Sequence, residues 1–241
     1  MAELKDGSIA LIDYGAGNLT SVRKAFAAVG ANLFVPATPA DVEDAAAVVV
    51  PGVGHFDATR VLDAEWVEAI LARVGEGRPL LGICLGMQWL FEGSEEAPDC
   101  AGLGLLAGRC YRLQGRAPKS REVRLKPDTM IKDASHSRDA SNGRGVRLEP
   151  DTVIKVPHVG WNTIELRGEA SLIDGVQSGA QVYFTHSFVA PVTGDTVAVT
   201  EHGESFAAIV QRGYVAGVQF HPEKSGDVGL QILRNWLEQV G

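Results

Sequence analysis

Cysteine is scarce: three residues in 241, an odd number with no framework spacing. That excludes a disulfide-stapled scaffold. Positive charge is also short, with 22 Lys and Arg against 30 Asp and Glu, a formal charge of −8. A general nucleic-acid binder carries the opposite balance. No long apolar run is present. The most apolar stretch, 79–91, is too short to span a bilayer and contains Gln88. The opening residues MAELKD lack a basic segment followed by an apolar one, so no secretory leader is expected. These absences predict a cytoplasmic chain with reduced thiols, acting on neither membrane nor nucleic acid. What is present is ordinary for a globular protein: 45% apolar and 22% charged residues. The length suffices to bury a full core without disulfides or metals.

Short apolar runs alternate with helical patterns through the first ninety residues. Segments 8–13, 32–35, 45–50 and 79–83 read as buried strands. Asn18 can cap a helix with Leu19, Val22, Phe26 and Val29 on one face. A second helix is expected over 58–74, with Val61, Leu62, Trp66, Ile70 and Val74 as its stripe, and a third over 85–92. Strands buried on both faces and separated by helices predict a mostly parallel sheet flanked by helices. Later segments, 104–113, 162–166, 181–189, 196–200, 206–212 and 215–220, read as strands of an additional antiparallel portion. A last helix over 227–240 should turn Leu230, Leu233, Leu237 and Val240 inward. No linker divides the chain, so a single α/β domain over 1–241 is expected.

Residues 116–155 do not fit this pattern. VRLKPDTMIK at 123–132 returns as VRLEPDTVIK at 146–155, identical at eight of ten positions, and DASHSR at 133–138 is followed by DASNGR. Residues 114–156 carry a balance of +4, which leaves −12 on the rest. Two copies are too few for a solenoid. A duplication tolerated in a surface loop or hairpin is the expectation; a basic arm is the alternative.

Chemistry concentrates at three places. Gly82-Ile83-Cys84-Leu85-Gly86 lies between a buried strand and a helix, the cysteine form of a nucleophile elbow. The helix N-terminus favours thiolate, although a lone cysteine after a strand also serves as core. Cys100 and Cys110 lack this context and read as packing. His221 precedes Pro222-Glu223, and proline biases it toward an extended backbone. Glu223 can then hold one imidazole nitrogen while the other faces Cys84, as nucleophile, base and orienter require. Pro51-Gly52-Val53-Gly54 closes the third strand. With the Leu85 N–H, the Gly52–Val53 segment is the natural oxyanion hole, or else a plain strand-to-helix turn. Gly15-Ala16-Gly17-Asn18 reads as a turn and helix cap, since it lacks the remaining residues of a dinucleotide or phosphate loop.

Together these motifs resemble the class I, or triad, glutamine amidotransferases. PGVGHF at 51–56, GICLGMQWLFEGSEEAP at 82–98, PHVGWN at 157–162, FHPEKS at 220–225 and DYGAGN at 13–18 are similar to the glutaminase subunits of imidazole glycerol phosphate synthases. The resemblance covers nearly all of the chain outside 116–155, an insert from which the family departs. It implies that Cys84 attacks the side-chain carbonyl of glutamine, and that His221, held by Glu223, protonates the departing ammonia. It implies that Gln88, Glu96 and the backbone at Ser187 and Phe188 bind the substrate; for Glu96 a solvated loop acid is the competing reading. No cofactor and no metal are expected.

Free ammonia is protonated in bulk water, so a glutaminase without an acceptor site of its own implies a partner. The resemblance names it: the (β/α)₈-barrel cyclase subunit of imidazole glycerol phosphate synthase, in a heterodimer, with Asn18, Trp161 and Lys224 at the interface. Ordinary core packing is the other reading of Trp161. A glutaminase for a different synthase, a stand-alone cysteine hydrolase or peptidase, and a non-catalytic binding module remain the alternatives.

Overall fold

A computed structural model describes residues 8–114 and 154–240. In chain order its elements are β1 (Ile9–Leu11), α1 (Leu19–Ala28), β2 (Leu33–Phe34), β3 (Ala47–Val50), α2 (Ala64–Gly75), β4 (Leu80–Ile83), α3 (Leu85–Trp89), β5 (Gly93–Ser94), β6 (Ala97–Ala101) and β7 (Tyr111–Arg112). Then follow β8 (His158–Thr163), β9 (Glu165–Leu166), β10 (Gln181–His186), β11 (Phe188–Val189), β12 (Thr196–Glu201), β13 (Ser205–Arg212), β14 (Val215–Val218) and α4 (Gly226–Leu237). The repeat-bearing segment falls almost wholly within 115–153, outside the described residues.

The main sheet has eight strands in the order β2-β1-β3-β4-β14-β13-β12-β9. The first five run parallel and the last three pair antiparallel. This is the expected α/β architecture, a mostly parallel sheet with an antiparallel extension. Alternate residues of each strand feed opposite layers. Ile9, Leu11, Ala47, Val49, Leu81 and Ile83 face the side of Phe26 and Trp236. Ala10, Ile12, Val48, Val50 and Leu80 face the side of Phe56, Ile70 and Met87. Three neighbouring parallel strands, β3, β4 and β14, send the segments that follow their C-terminal ends to one edge of the sheet. There α/β folds place their ligands.

Several boundaries differ from expectation. The helix expected over 58–74 is a 3₁₀ stretch, Phe56–Val61, followed by α2. Asp63 separates them, its carboxylate accepting the N–H groups of Glu65 and Trp66, as an N-cap does. Val61, placed on the apolar stripe, is 63% exposed as a result. The strand expected over 104–113 survives only as β7. Leu103, Gly104 and Leu106 instead donate their N–H groups to the carbonyls of Trp89, Phe91 and Leu90, closing the C-terminal end of α3. That also ends α3 earlier than residue 92. The hairpin β5–β6 was not foreseen, and β8 starts at His158 rather than at 162. On α4, Ile232, Leu233 and Trp236 form the buried face, while Leu230, Leu237 and Val240 are only partly covered. Trp236 packs edge-on against Phe26, with ring centroids 5.9 Å apart.

Candidate active site

Cys84 sits in the single step between β4 and α3. It is the only non-glycine residue with positive φ among the described residues, at φ 54° and ψ −106°. Its N–H is tied to the Val218 carbonyl at 2.8 Å, which anchors the strained turn to β14. The flanking glycines are required by packing. A Cβ on Gly86 would lie 1.8 Å from the Val50 carbonyl oxygen, and one on Gly82 would lie 2.6 Å from the Gly86 backbone. The helix can thus start directly over the sheet edge, with the thiol at its N-terminus.

His221 follows β14. Its backbone is extended, but the residues after it form a 3₁₀ turn, Pro222–Lys224, rather than continuing the strand. The turn brings Glu223 Oε1 to 2.8 Å from His221 Nδ1, and both side chains are 3% exposed. The His221 N–H donates to the Tyr183 carbonyl, and the Ser225 hydroxyl donates to the His221 carbonyl. His221 Nε2 is buried without a hydrogen-bond partner. Burial works against a charge on this ring, but Cys84 and Glu223 outweigh it and lift its pKa to about 10. The arrangement favours an imidazolium beside a cysteine sulfur.

A cavity of about 230 Å³ opens on Cys84. Leu85, Gln88, Glu96, Ser187 and Phe188, all predicted around the substrate or the oxyanion, line it, together with Gly54, Pro157, Thr185 and His186. Gln88 Nε2 donates to the Phe188 carbonyl (2.9 Å) and to Gln219 Oε1 (3.2 Å), so its amide oxygen is the atom left to offer a ligand. Glu96 Oε2 accepts the Phe56 N–H at 2.8 Å, pinning the start of the 3₁₀ stretch beside the pocket.

The oxyanion arrangement differs from expectation. The Leu85 N–H is not free: it donates to the Gly52 carbonyl at 3.3 Å. Gly52 and Val53 border a separate small cavity with Asn18, His221 and Glu223.

Two features escaped the sequence reading. Gln219, fully buried, places Nε2 3.7 Å from Cys84 Sγ. Behind the pocket, Asn162 Nδ2 donates to the Glu201 carbonyl (2.9 Å) and to His158 Nε2 (3.2 Å). His158 must then carry its proton on Nδ1, which donates to His186 Nε2 at 3.1 Å. His158 is stacked between His202 and Phe184. Burial, assisted by His202, depresses the His158 pKa to about 4, and burial holds His186 well below the ordinary histidine range. Both rings are neutral near pH 7.

Trp161 is 55% exposed on β8, which rules out core packing for it. Its ring meets Tyr183 edge-on at 6.1 Å, and Lys224 Nζ lies 5.5 Å from the centroid of that same Tyr183 ring. Asn18 is exposed and caps α1, accepting the Ser21 N–H.

The model of the family "Glutamine amidotransferase class-I" matches residues 10–240. The chain belongs to this family. Among curated class-I amidotransferase relatives, it is 42% identical over 232 residues to the imidazole glycerol phosphate synthase subunit HisH of Syntrophotalea carbinolica, covering 95% of this chain and 98% of the relative. It is 37% identical to HisH of Bacillus cereus, covering 95% and 93%. A solved glutamine amidotransferase superposes with a TM-score of 0.63 at 19% identity, covering 96% of this chain and 98% of the other. A chain of Thermotoga maritima PurLQS superposes with a TM-score of 0.66 at 14% identity, covering 98% and 100%. These two likenesses bear on the fold alone. The central sheet of this amidotransferase is the one its solved neighbours carry, and the chain is an enzyme of that family.

Proposed function

We propose that the chain is the glutaminase subunit of an imidazole glycerol phosphate synthase, serving histidine biosynthesis. The observation that carries this reading is Cys84 opening on a cavity lined by Gln88 and Glu96, with the hydrogen-bonded His221–Glu223 pair beside the sulfur, in a chain so similar to HisH proteins. Glutamine enters with its ammonium group toward Glu96 and the Gln88 oxygen. The Cys84 sulfur attacks the side-chain carbonyl carbon, and the C–N bond breaks as His221 delivers its proton to the departing ammonia. A water molecule, deprotonated by His221, then cleaves the thioester to give glutamate and the free cysteine. Glu223 holds the ring and balances its charge.

The tetrahedral intermediate needs hydrogen-bond donors on its oxygen. Leu85 supplies one only after its N–H leaves the Gly52 carbonyl. This favours a subunit activated by docking over a stand-alone hydrolase. The partner we infer is the (β/α)₈-barrel cyclase of the same synthase, in a heterodimer. Trp161, Tyr183 and Lys224 offer it one exposed aromatic and cationic patch, with Asn18 nearby as a candidate contact. The chain from 1 to 241 acts as one glutaminase unit, and reduced thiols suit the cytoplasm. No helix among the described residues is long and apolar enough to cross a membrane.

The deciding experiment measures glutamate release by the purified chain with and without the cyclase and its nucleotide substrate. Release should be slow alone and fast in the complex. Cys84→Ala should abolish glutamine-dependent synthesis while leaving synthesis from added ammonium salt intact. Equal glutaminase rates with and without the cyclase would overturn the dependence on a partner.

A further inference from the structure

Tyr14 lies in the turn after β1 and is 5% exposed, yet its hydroxyl has no hydrogen-bond partner. This hydroxyl occupies the space directly over Gly52. A Cβ built on Gly52 would stand 2.0 Å from Tyr14 Oη and 2.9 Å from Leu85 Cβ. Gly52 is therefore clamped between the phenol and the first residue of α3. Gly17, from the same turn as Tyr14, backs this packing, since its own Cβ would lie 3.7 Å from the Gly52 Cα. Burial, and to a lesser degree the charge of Cys84, keeps the phenol protonated, so it is a donor.

The unmade bonds in this corner are complementary. While the Gly52 carbonyl accepts the Leu85 N–H, no donor is left at that position for an oxyanion, and the Tyr14 hydroxyl is orphaned. Rotation of the Gly52–Val53 peptide swings the carbonyl away from Leu85. The side of Gly52 on which a side chain would stand is the side where Tyr14 Oη waits.

We propose that Tyr14 is a positioning residue for the oxyanion loop, its hydroxyl taking up the Gly52 carbonyl when that carbonyl releases the Leu85 N–H. The inference rests on the glutaminase reading above. In the resting arrangement Leu85 is paired and Tyr14 is not; in the active one Tyr14 is paired and Leu85 is free to hold the oxyanion. A buried hydroxyl left without a partner is costly, and this cost biases the loop toward the active arrangement. No proton leaves Tyr14, and it does not touch the substrate.

The test compares Tyr14→Phe with wild type in the assembled complex with the cyclase. The variant should lose about five- to tenfold in kcat for glutamine hydrolysis, the worth of one ordinary hydrogen bond. Its KM for glutamine should be unchanged, because the lost bond matters only once the oxyanion forms. Alkylation of Cys84 by iodoacetamide and synthesis from ammonium salt should match wild type, showing that the fold and the thiol are intact. An unchanged kcat would overturn the proposal, as would a loss of kcat accompanied by slowed alkylation or a raised KM. Wild-type turnover in the same assay judges the glutaminase reading separately, so failure of one is distinguishable from failure of the other.

Discussion

Gln219 donates an N–H toward the sulfur of Cys84 at 3.7 Å while its amide oxygen accepts from Gln88 at 3.2 Å. One fully buried side chain thus joins the nucleophile to the wall of the glutamine pocket. Gln219→Leu removes both contacts without changing the size of the side chain much. We expect kcat/KM for glutamine to fall by about tenfold or more, since a hydrogen bond to a charged group is worth about 1.5–3 kcal/mol. Steady-state glutaminase kinetics in the complex check this, and wild-type kcat/KM would refute it.

The histidines set the pH range of stability from both sides. His158, held at about 4 by burial, and His186, held by burial well below the ordinary histidine range, refuse protons that the unfolded chain takes up below its ordinary histidine value of 6.5. The unfolded state binds more protons there, so stability should fall as pH drops from 6.5 toward 4. For His221 the sign reverses. Its folded pKa of about 10 means that its contribution is complete below 6.5 and is lost as pH rises through 10. Melting temperature against pH should therefore peak near 6.5, and Glu223→Gln should flatten the alkaline side. An alkaline side equally steep in Glu223→Gln would count against the ion pair.

Trp161 is exposed but braced by Tyr183, a rigid aromatic anchor of the kind that dominates interfaces. Trp161→Ala should weaken association with the cyclase by about 2 kcal/mol or more. Titration calorimetry against the wild-type subunit reads this directly, and unchanged affinity would remove Trp161 from the interface.

The duplicated unit offers a test by deletion. Removing 123–145 excises one 23-residue period and rejoins Glu122 to Val146, where the second copy begins. The shortened chain should fold and retain glutaminase activity in the complex. Loss of cyclase binding or of folding would show that the extra copy has become part of the interface or the core.

Local signals were the legible ones. Gly82, Cys84 and Gly86 announce the elbow because the residue types that mark it fall within five positions, although what demands Gly86 is the Val50 carbonyl of a neighbouring strand. His221 and Glu223 announce a pair because one turn of chain brings them together, though the turn is 3₁₀ and not strand. The parallel character of β1, β3 and β4 was readable from continuous apolar runs, though their order in the sheet was not. Gln219 was not: a single amide in a buried run gives no sign of a partner 135 residues away. Nor did 104–113 reveal that its N–H groups close the end of α3, because apolar alternation looks the same in either role. Asp63 was a readable cap that the apolar stripe around it obscured. The bond from the Leu85 N–H to the Gly52 carbonyl was beyond reach, because a peptide orientation leaves no trace in residue type.

β8 carries its two duties on opposite faces. His158 and Asn162 point inward to the ring stack behind the pocket, and Val159 and Trp161 point outward. A slip of one residue would exchange the faces, putting the tryptophan inside and the imidazole in water. The strand is therefore locked in register from both sides. Just upstream, the Lys155 carbonyl accepts from His202 Nε2 at 2.8 Å, a fixed point before the strand begins. β8 thus leaves a held carbonyl with one face already assigned to the pocket and the other to solvent.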